Sequence, residues 1–520
     1  MFIFITVGLL LLTALFLLTL RFMLPDFRFA WLTATGGAFL AWISVFFWQT
    51  GMPASVALPL WQPESVFRQS PLFLADGIAW AFALSVTTIC LAVIITSVAR
   101  DNFPSPLSWI GVLTLTGLGV LAVTADNPLT LVLLWAAIDL TEMTSQMRFV
   151  ENPRLSERVV ISFASRVTGI LILLWANMVS ASEGFVLDFS SPPPRAGIYL
   201  IIASALRLGV LPIHLPYASE SSFRRGFGTA LRMISSGSSL ILLARIPPDS
   251  VSSSITPVLT LLVAAAALYG AWMWLRAPDE LAGRPYWLIG LGSLAVASAL
   301  RGNPIGATAW SCALILCGGV LFLASAKSRW LETGLLVGLW GISALPFSLT
   351  ASGWVNPSGT HGYIVPFLVA AQAMLLAGYH RQSQRSAART SFENQPIWAK
   401  NVYPLGVYVI LLTILLLGFF GWEGTLQIGN WALGVTAAFL MVGVLWLIPR
   451  VRLLNPVRAH WVRTTDSTQP DIIYRTIWTA YRAVRRLLNA FSNVLEGESG
   501  IMWTLLFLVL FISIFSQAAP

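Results

Sequence analysis

Long uninterrupted runs of apolar residues, separated by short polar segments, make up most of this chain of 520 residues. Most of the runs are about 17–22 residues long, which is enough for an α-helix to cross the hydrocarbon core of a bilayer. The sixteen runs lie at 1–20, 29–49, 77–99, 107–125, 128–147, 159–180, 197–217, 227–244, 255–275, 286–300, 304–325, 332–351, 363–380, 403–421, 430–449 and 501–517. They lack the period-two alternation of a membrane β-barrel. The pattern therefore predicts an all-α polytopic membrane protein with about 14–16 transmembrane helices.

Composition excludes the other broad classes of protein. Hydrophobic residues make up 57% of the chain and charged residues only 10%, against roughly 25% charged residues in soluble domains. A soluble enzyme, a disordered chain and a fibrous repeat are therefore excluded. The first run is longer and more uniformly apolar than a cleaved signal peptide, so we expect it to form the first transmembrane helix.

The basic residues of the loops alternate along the chain. When the loops are numbered between successive spans, the odd loops contain 24 Lys and Arg residues and the even loops contain 4. Because cytoplasmic loops are enriched in Lys and Arg, we expect the odd loops in the cytoplasm and both termini outside, in the cell inner (plasma) membrane. The net charge of +9 comes from these loops, so we expect no nucleic-acid partner.

The sequence gives no sign of a cofactor or a metal site. The three cysteines, Cys90, Cys312 and Cys317, all lie inside apolar runs, which is typical of small buried side chains rather than of disulfides or metal ligands. A phosphate-binding loop, a dinucleotide fingerprint and iron–sulfur or haem patterns are missing. We therefore expect no bound metal and no redox cofactor.

Five ionisable side chains fall well inside predicted spans, all between spans five and eight. They are Asp139, Glu142, Arg166, Arg207 and Arg232. Charges inside a membrane are costly, and they usually mark a functional site or a buried pair. The two acids are three residues apart, so they share one face of helix five.

Two prolines interrupt apolar spans at corresponding places in the two halves of the chain. Pro212 lies in span seven and Pro346 in span twelve, and each removes a backbone hydrogen bond and frees carbonyl groups. Paired broken helices predict two inverted five-helix repeats. We therefore expect N-terminal helices one to three at 1–106, a first repeat at 107–246, a second, uncharged repeat at 255–381, helices fourteen and fifteen at 403–449, a polar segment at 450–500 and a last transmembrane helix at 501–520.

The polar segment 450–500 contains a second kind of helix pattern. Between residues 472 and 495, apolar residues recur every three or four positions, with arginines mostly between them. This predicts an amphipathic helix with a basic face on the cytoplasmic surface. Two interpretations stay open: a lateral brace against a partner subunit, or a linker helix resting on anionic lipid.

Several short motifs follow one another in an order that resembles a known family. They are FLADG at 73–77, NPLTLVLLW at 127–135, SRV at 165–167, RLGVLPIH at 207–214 and LLAR at 242–245. The chain resembles the antiporter-like, proton-translocating membrane subunits of respiratory complex I, Mrp antiporters and membrane-bound hydrogenases, as a divergent member. The membrane partner of some inorganic-carbon uptake systems belongs to the same family.

The resemblance implies a proton path that this sequence has altered. The family places a glutamate on helix five, a lysine on helix seven and a lysine or histidine on helix eight; the matching positions here are Ala136, Arg207 and Arg232. Gly353 stands where many members have a lysine in the second half. A desolvated lysine can release its proton, but arginine stays protonated, so the two arginines are fixed charges.

The candidates for ion translocation are therefore Asp139, Glu142, Arg207, His214 and Arg232, with Arg166 as a supporting charge that braces helix six against helix five. For the two acids, two interpretations stay open: a displaced, titratable partner of Arg207, or a static buried salt bridge. His214 follows the Pro212 break, where it acts as a proton switch or caps freed carbonyls.

Three functions are compatible with these residues. The first is a membrane subunit of a multi-subunit energy-coupling complex, such as an NADH-quinone oxidoreductase-like or hydrogenase-like translocase, which moves protons or another ion through its first half. The second is a non-conducting scaffold subunit of such a complex. The third is the membrane partner of an inorganic-carbon (bicarbonate) uptake system. The expected partners are lipid and other membrane subunits. A quinone-reducing, hydrogenase or carbonic-anhydrase-like partner would identify the complex to which the chain belongs.

Overall fold

The computed structural model describes residues 2–24, 27–59, 70–99, 104–147, 153–216, 225–251, 254–325, 329–355, 361–384, 396–422 and 429–450, together with Thr479. Within these ranges the chain forms fifteen α-helices, and they match the first fifteen predicted spans in order. Their bounds are α1 Phe2–Met23, α2 Ala30–Phe46, α3 Gly77–Thr96, α4 Pro106–Thr124, α5 Pro128–Met147, α6 Pro153–Ser182, α7 Pro194–Arg207, α8 Arg225–Arg245, α9 Thr256–Arg276, α10 Glu280–Leu300, α11 Pro304–Leu323, α12 Arg329–Gly341, α13 Val365–Ser383, α14 Ile397–Phe420 and α15 Trp431–Arg450.

The predicted all-α, multi-pass membrane fold is confirmed. Ten of the described helices are each long and apolar enough to cross a membrane. A short antiparallel hairpin, β1 Ala54–Ala57 paired with β2 Leu72–Ala75, lies between α2 and α3. Nearly all of the predicted amphipathic segment 450–500, and the predicted last span 501–520, fall outside the described residues.

Helices seven and twelve are both broken, as the two prolines predict. α7 ends at Arg207, and the chain then turns through residues 208–213, where Gly209 has a φ of +75°. A side chain at Gly209 would collide with the carbonyl of His214, so this turn requires glycine. α12 ends at Gly341 and is followed by irregular chain that contains Pro346. The broken helix is thus the fourth of five in both α4–α8 and α9–α13. Because five crossings separate the starts of the two sets, the sets run in opposite directions through the membrane.

Three helices form the centre of the bundle. In α3, α8 and α11, 94% of the most apolar 18-residue window is buried, against 33% in α1. α8 nevertheless contains Arg232 and a run of serines, so the most enclosed helices include one that is polar. The polar groups of α8 must therefore find partners on neighbouring helices.

Helix ten begins earlier than predicted. The expected start was residue 286, but α10 begins at Glu280, where the carboxylate of Asp279 accepts hydrogen bonds from the amides of Leu281 and Ala282. Pro285 lies inside the helix, where it cannot donate the hydrogen bond that another residue would make to the carbonyl of Leu281. As a consequence, Glu280 and Arg284 are buried parts of the second repeat. The expectation of an uncharged second repeat is corrected: its interior spans lack charge, but the first turns of α10 contain an acid and a base.

Candidate functional site

The five charged residues of spans five to eight come together in one buried cluster, called here the central cluster: Asp139 and Glu142 of α5, Arg166 of α6, Arg207 of α7 and Arg232 of α8. Both carboxylates are fully buried, and each of the arginines is at most 2% exposed. Four consecutive helices of the first repeat thus each contribute at least one charge to a single site.

Asp139 binds Arg207 in a two-pronged pair. The Nη1 and Nη2 atoms of Arg207 lie 2.6 and 2.8 Å from the two carboxylate oxygens. The same guanidinium donates from Nε to the hydroxyl of Ser239 at 3.0 Å, and its carbon lies 4.3 Å from the ring centre of Trp135. Arg207 is the last residue of α7, so the helix break places the guanidinium at this depth. This pairing is the geometry expected for an acid displaced by one turn.

Glu142 accepts from three donors. Arg166 and Arg232 each donate to one of its oxygens, and the side-chain amide of Gln146, one turn later on α5, donates at 2.7 Å. The Nε of Arg166 also lies 3.6 Å from Asp139. Arg166 therefore connects the two carboxylates, and it joins α6 to α5 as the sequence predicts.

The charges of the central cluster do not cancel. Three guanidinium groups and two carboxylates leave a formal excess of one positive charge among residues that are almost fully buried. Arginine stays protonated even in a protein interior. The only members of the cluster that can take up and release a proton are therefore Asp139 and Glu142.

His214 lies in the break after α7, apart from the central cluster's hydrogen bonds as far as the structure describes the chain. Its Nδ1 faces the carbonyl oxygen of Pro212 at 2.8 Å. Its backbone amide donates to the carbonyl of Gly209 at 3.1 Å. The contact of Nδ1 corresponds to the capping interpretation, in which the imidazole satisfies a carbonyl that the proline break leaves free.

A second charged group, missed by the sequence reasoning, lies at one end of the same helices. We call Asp76, Asp126, Asp188 and Arg245 the boundary cluster. Arg245 donates to Asp126 at 2.6 Å, lies 3.7 Å from Asp76 and donates to the carbonyl of Leu74 at 3.3 Å. Burial raises the pKa of Asp126 above its ordinary value; Arg245 opposes the rise, and the carboxylates of Asp188 and Asp76 add to it.

The two clusters are joined by polar contacts between α5 and α8. At the boundary cluster, Asp126, just before α5, pairs with Arg245 at the end of α8. Further in, the indole of Trp135 donates to the carbonyl of Ser238 at 2.9 Å, and Glu142 of the central cluster pairs with Arg232. Residue numbers rise on α5 while they fall on α8, so the two helices are antiparallel. They are held at three successive depths by polar contacts.

A further ion pair connects the two repeats at the opposite end of α8. Arg225, the first residue of α8, binds Glu280 at the start of α10 and lies 3.4 Å from the carbonyl of Phe322 near the end of α11. Arg225 and Glu280 come from odd loops, and all four members of the boundary cluster come from even loops. This agrees with the predicted number of crossings, because residues from loops of the same parity must lie on the same side.

Comparisons with known proteins give a fold but no sequence family. No protein-family model matches the chain, and no curated protein matches it in sequence. The structure is similar to a chain in the Mrp complex from Dietzia sp. DQ12-45-1b, with a TM-score of 0.70 and 16% identity over 100% of this chain and 63% of that chain. The chain thus spans a little under two thirds of that Mrp protein.

Two further similarities involve respiratory membrane complexes. A chain of the archaeal membrane-bound sulfane sulfur reductase matches with a TM-score of 0.64 and 13% identity over 98% of this chain and 100% of that chain. A chain of respiratory complex I from Thermus thermophilus matches with a TM-score of 0.64 and 17% identity over 85% of this chain and 100% of that chain. The antiporter-like fold predicted from the sequence motifs is confirmed.

Proposed function

We propose that this chain is a membrane subunit of a multi-subunit energy-coupling complex and that its first repeat contributes to the translocation of protons or of another ion. In the proposed arrangement it lies in the cell inner (plasma) membrane, with both termini and the even loops outside. The observation that carries the proposal is the central cluster: two fully buried carboxylates bound by three arginines, beside the broken end of α7.

The proposed role of the cluster follows from its chemistry. A proton that reaches Asp139 neutralises the carboxylate and removes the charge partner of Arg207. Because Arg166 lies against both Asp139 and Glu142, the gain of one proton changes the balance of charge at both acids. Fixed guanidinium groups can thus control when each carboxylate holds a proton, although they carry no proton themselves.

A specific observation also favours a second function, a non-conducting scaffold. Both acids of the central cluster accept several hydrogen bonds: Asp139 accepts two from Arg207, and Glu142 accepts bonds from Arg166, Arg232 and Gln146. A buried network of this kind joins four helices and can hold them in one fixed arrangement.

Partners are proposed from the similar folds. The matched proteins come from an Mrp complex, a membrane-bound sulfane sulfur reductase and respiratory complex I. We propose that this chain likewise lies beside other membrane subunits. The partner that co-purifies in mild detergent would identify the type of complex.

The two functions are separated by replacing both acids with amides. The complex is purified through this chain, reconstituted into vesicles and assayed for proton flux under an imposed membrane potential, with a pH-sensitive dye inside the vesicles. The variant is Asp139→Asn/Glu142→Gln, and the matched control is Asp249→Asn, an exposed aspartate shortly after the end of α8. Loss of flux with the same partners bound supports translocation. Unchanged flux removes it, and absence of flux in the wild type supports the scaffold.

A further inference from the structure

The boundary cluster contains one guanidinium shared between carboxylates of different elements. Arg245 ends α8, Asp126 lies between α4 and α5, and Asp76 precedes α3. The Nη1 of Arg245 lies 2.6 Å from Asp126, whereas its Nη2 lies 3.7 Å from Asp76. Arg245 therefore has a close acidic partner and a second acid within reach of a small side-chain movement.

The exposures of these side chains differ in a way that matters for proton exchange. The side chain of Arg245 is 5% exposed, that of Asp126 16% and that of Asp76 29%. Water can reach both carboxylates, while the arginine between them is enclosed. Asp76 also caps α3, because one of its oxygens accepts the amide of Ala79 at 2.7 Å. The same oxygen, Oδ1, lies nearest to Arg245. Because a carboxylate oxygen has two lone pairs, it can receive a guanidinium while it keeps the cap.

We propose that Asp126 is a proton-binding site on the even-loop face and that proton binding moves the guanidinium of Arg245 from Asp126 to Asp76. The proton adds to the Asp126 carboxylate, which then no longer attracts Arg245 as an anion. Asp76 then offers the guanidinium a second carboxylate, which lies 3.7 Å from the Nη2 of Arg245. The proposal does not depend on conduction through the central cluster.

The surroundings of Asp126 favour such a site. Three charged groups act on it: Arg245 from α8, Asp76 from the start of α3 and Asp188 from the segment after α6. The β2 strand adds a backbone contact, because the amide of Asp126 donates to the carbonyl of Leu72 at 3.0 Å. The backbone of Asp126 is thus fixed while its carboxylate faces one cation and two anions. Burial and the two neighbouring acids raise its pKa, and the proton is held more readily than by an ordinary aspartate.

Proton binding at this site would act on the helices of the central cluster. Asp126–Arg245 is the contact nearest the even loops among the three that join α5 to α8. When the guanidinium moves to Asp76, the end of α8 is held by α3 and no longer by α5. The ends of α5 and α8 then become free to separate on that side, while Glu142 and Arg232 still join them further in.

The test is an infrared titration of the full-length protein in lipid vesicles, which follows the carbonyl stretch of protonated carboxylic acids. We expect a band that is absent from Asp126→Asn and has a midpoint above about 4, the ordinary aspartate value. Asp76→Asn, which keeps a capping residue, should lower the midpoint because a like charge is lost. Arg245→Gln should raise it. Glu183→Gln, which alters an exposed ion pair with Arg195 on the same face, is the control and should leave the band unchanged.

The movement of Arg245 has its own test. Asp126→Asn imitates the protonated acid, so Asp76→Asn should lower the melting temperature more in that background than in the wild type. A titrating band that survives in Asp126→Asn, or a midpoint that neither Asp76→Asn nor Arg245→Gln moves, overturns the proton site. Equal losses of melting temperature in the two backgrounds overturn the movement. None of these readouts measures ion flux, so their failure leaves the proposed function untouched.

Discussion

Replacement of Asp139 by asparagine is the most direct perturbation of the central cluster. The amide keeps the size of the side chain but removes the negative charge that Arg207 binds at 2.6 and 2.8 Å. The guanidinium stays charged and remains almost fully buried. The formal excess of positive charge in the cluster rises from one to two.

The expected cost follows from this loss of compensation. Removal of one partner from a buried ion pair costs about 3–5 kcal/mol, because the other charge is left buried. Replacement of both partners by neutral groups that hydrogen-bond each other costs much less. We therefore expect Asp139→Asn to lower the free energy of unfolding by about 3–5 kcal/mol, and Asp139→Asn/Arg207→Gln to recover most of that loss.

The assay is reversible unfolding in mixed micelles by titration with a denaturing detergent. Wild type, the two single variants and the double variant form a cycle from which the coupling between the two side chains is obtained. Asp249→Asn, at an exposed position, serves as the control for loss of an aspartate charge. A loss of less than about 1 kcal/mol, the value typical of exposed pairs, would refute the reasoning. So would a double variant that is less stable than either single one.

Three further predictions concern other parts of the same network. Arg207→Lys supplies a cation that can release its proton when desolvated, so proton flux should rise above the wild-type value. Flux equal to that of the wild type, in a complex that assembles normally, would contradict this prediction. Gly169→Ala places a methyl group against the side chain of Arg207 and within 3.1 Å of the carbonyl of Ala203. The free energy of unfolding should therefore fall by about 1–3 kcal/mol. An unchanged value would show that the helices can move apart enough to accept the methyl group. The three thiols are fully buried, so a membrane-permeant maleimide should label them only after unfolding; labelling of the folded protein would contradict the packing of Cys90, Cys312 and Cys317.

The fold was largely predictable because the bilayer imposes simple rules on sequence. Each transmembrane helix needs an apolar run of a certain length, and the runs are separated by short polar loops. Sixteen spans could therefore be counted, and the first fifteen match the described helices in order. The two breaks were predictable because Pro212 and Pro346 interrupt apolar spans. The members of the central cluster were predictable for a related reason: an ionised side chain inside such a span is conspicuous and needs a partner.

The sequence could not show which charged residues pair with each other or at which residues the helices begin and end. The sequence offered both acids as partners of Arg207, and only the packing assigns Arg207 to Asp139 and leaves Glu142 to Arg166 and Arg232. Asp126 and Arg245 lie at span ends, where charged residues are ordinary, so the pattern did not predict an ion pair there, although Arg245 ends the LLAR motif. The apolar run 286–300 leaves Glu280 and Arg284 in the loop before it, whereas the cap by Asp279 starts α10 earlier.

The central claim is that the acids of the central cluster take part in ion translocation, beyond their part in holding α5 to α8 together. Proton flux through reconstituted vesicles of the assembled complex containing Asp139→Asn/Arg207→Gln tests it most directly, since this variant keeps a bonded pair but has no acid at that position. We expect the same partners to co-purify and the flux to fall to the level of protein-free vesicles. Flux equal to that of the wild type, in a complex that assembles normally, would contradict the claim.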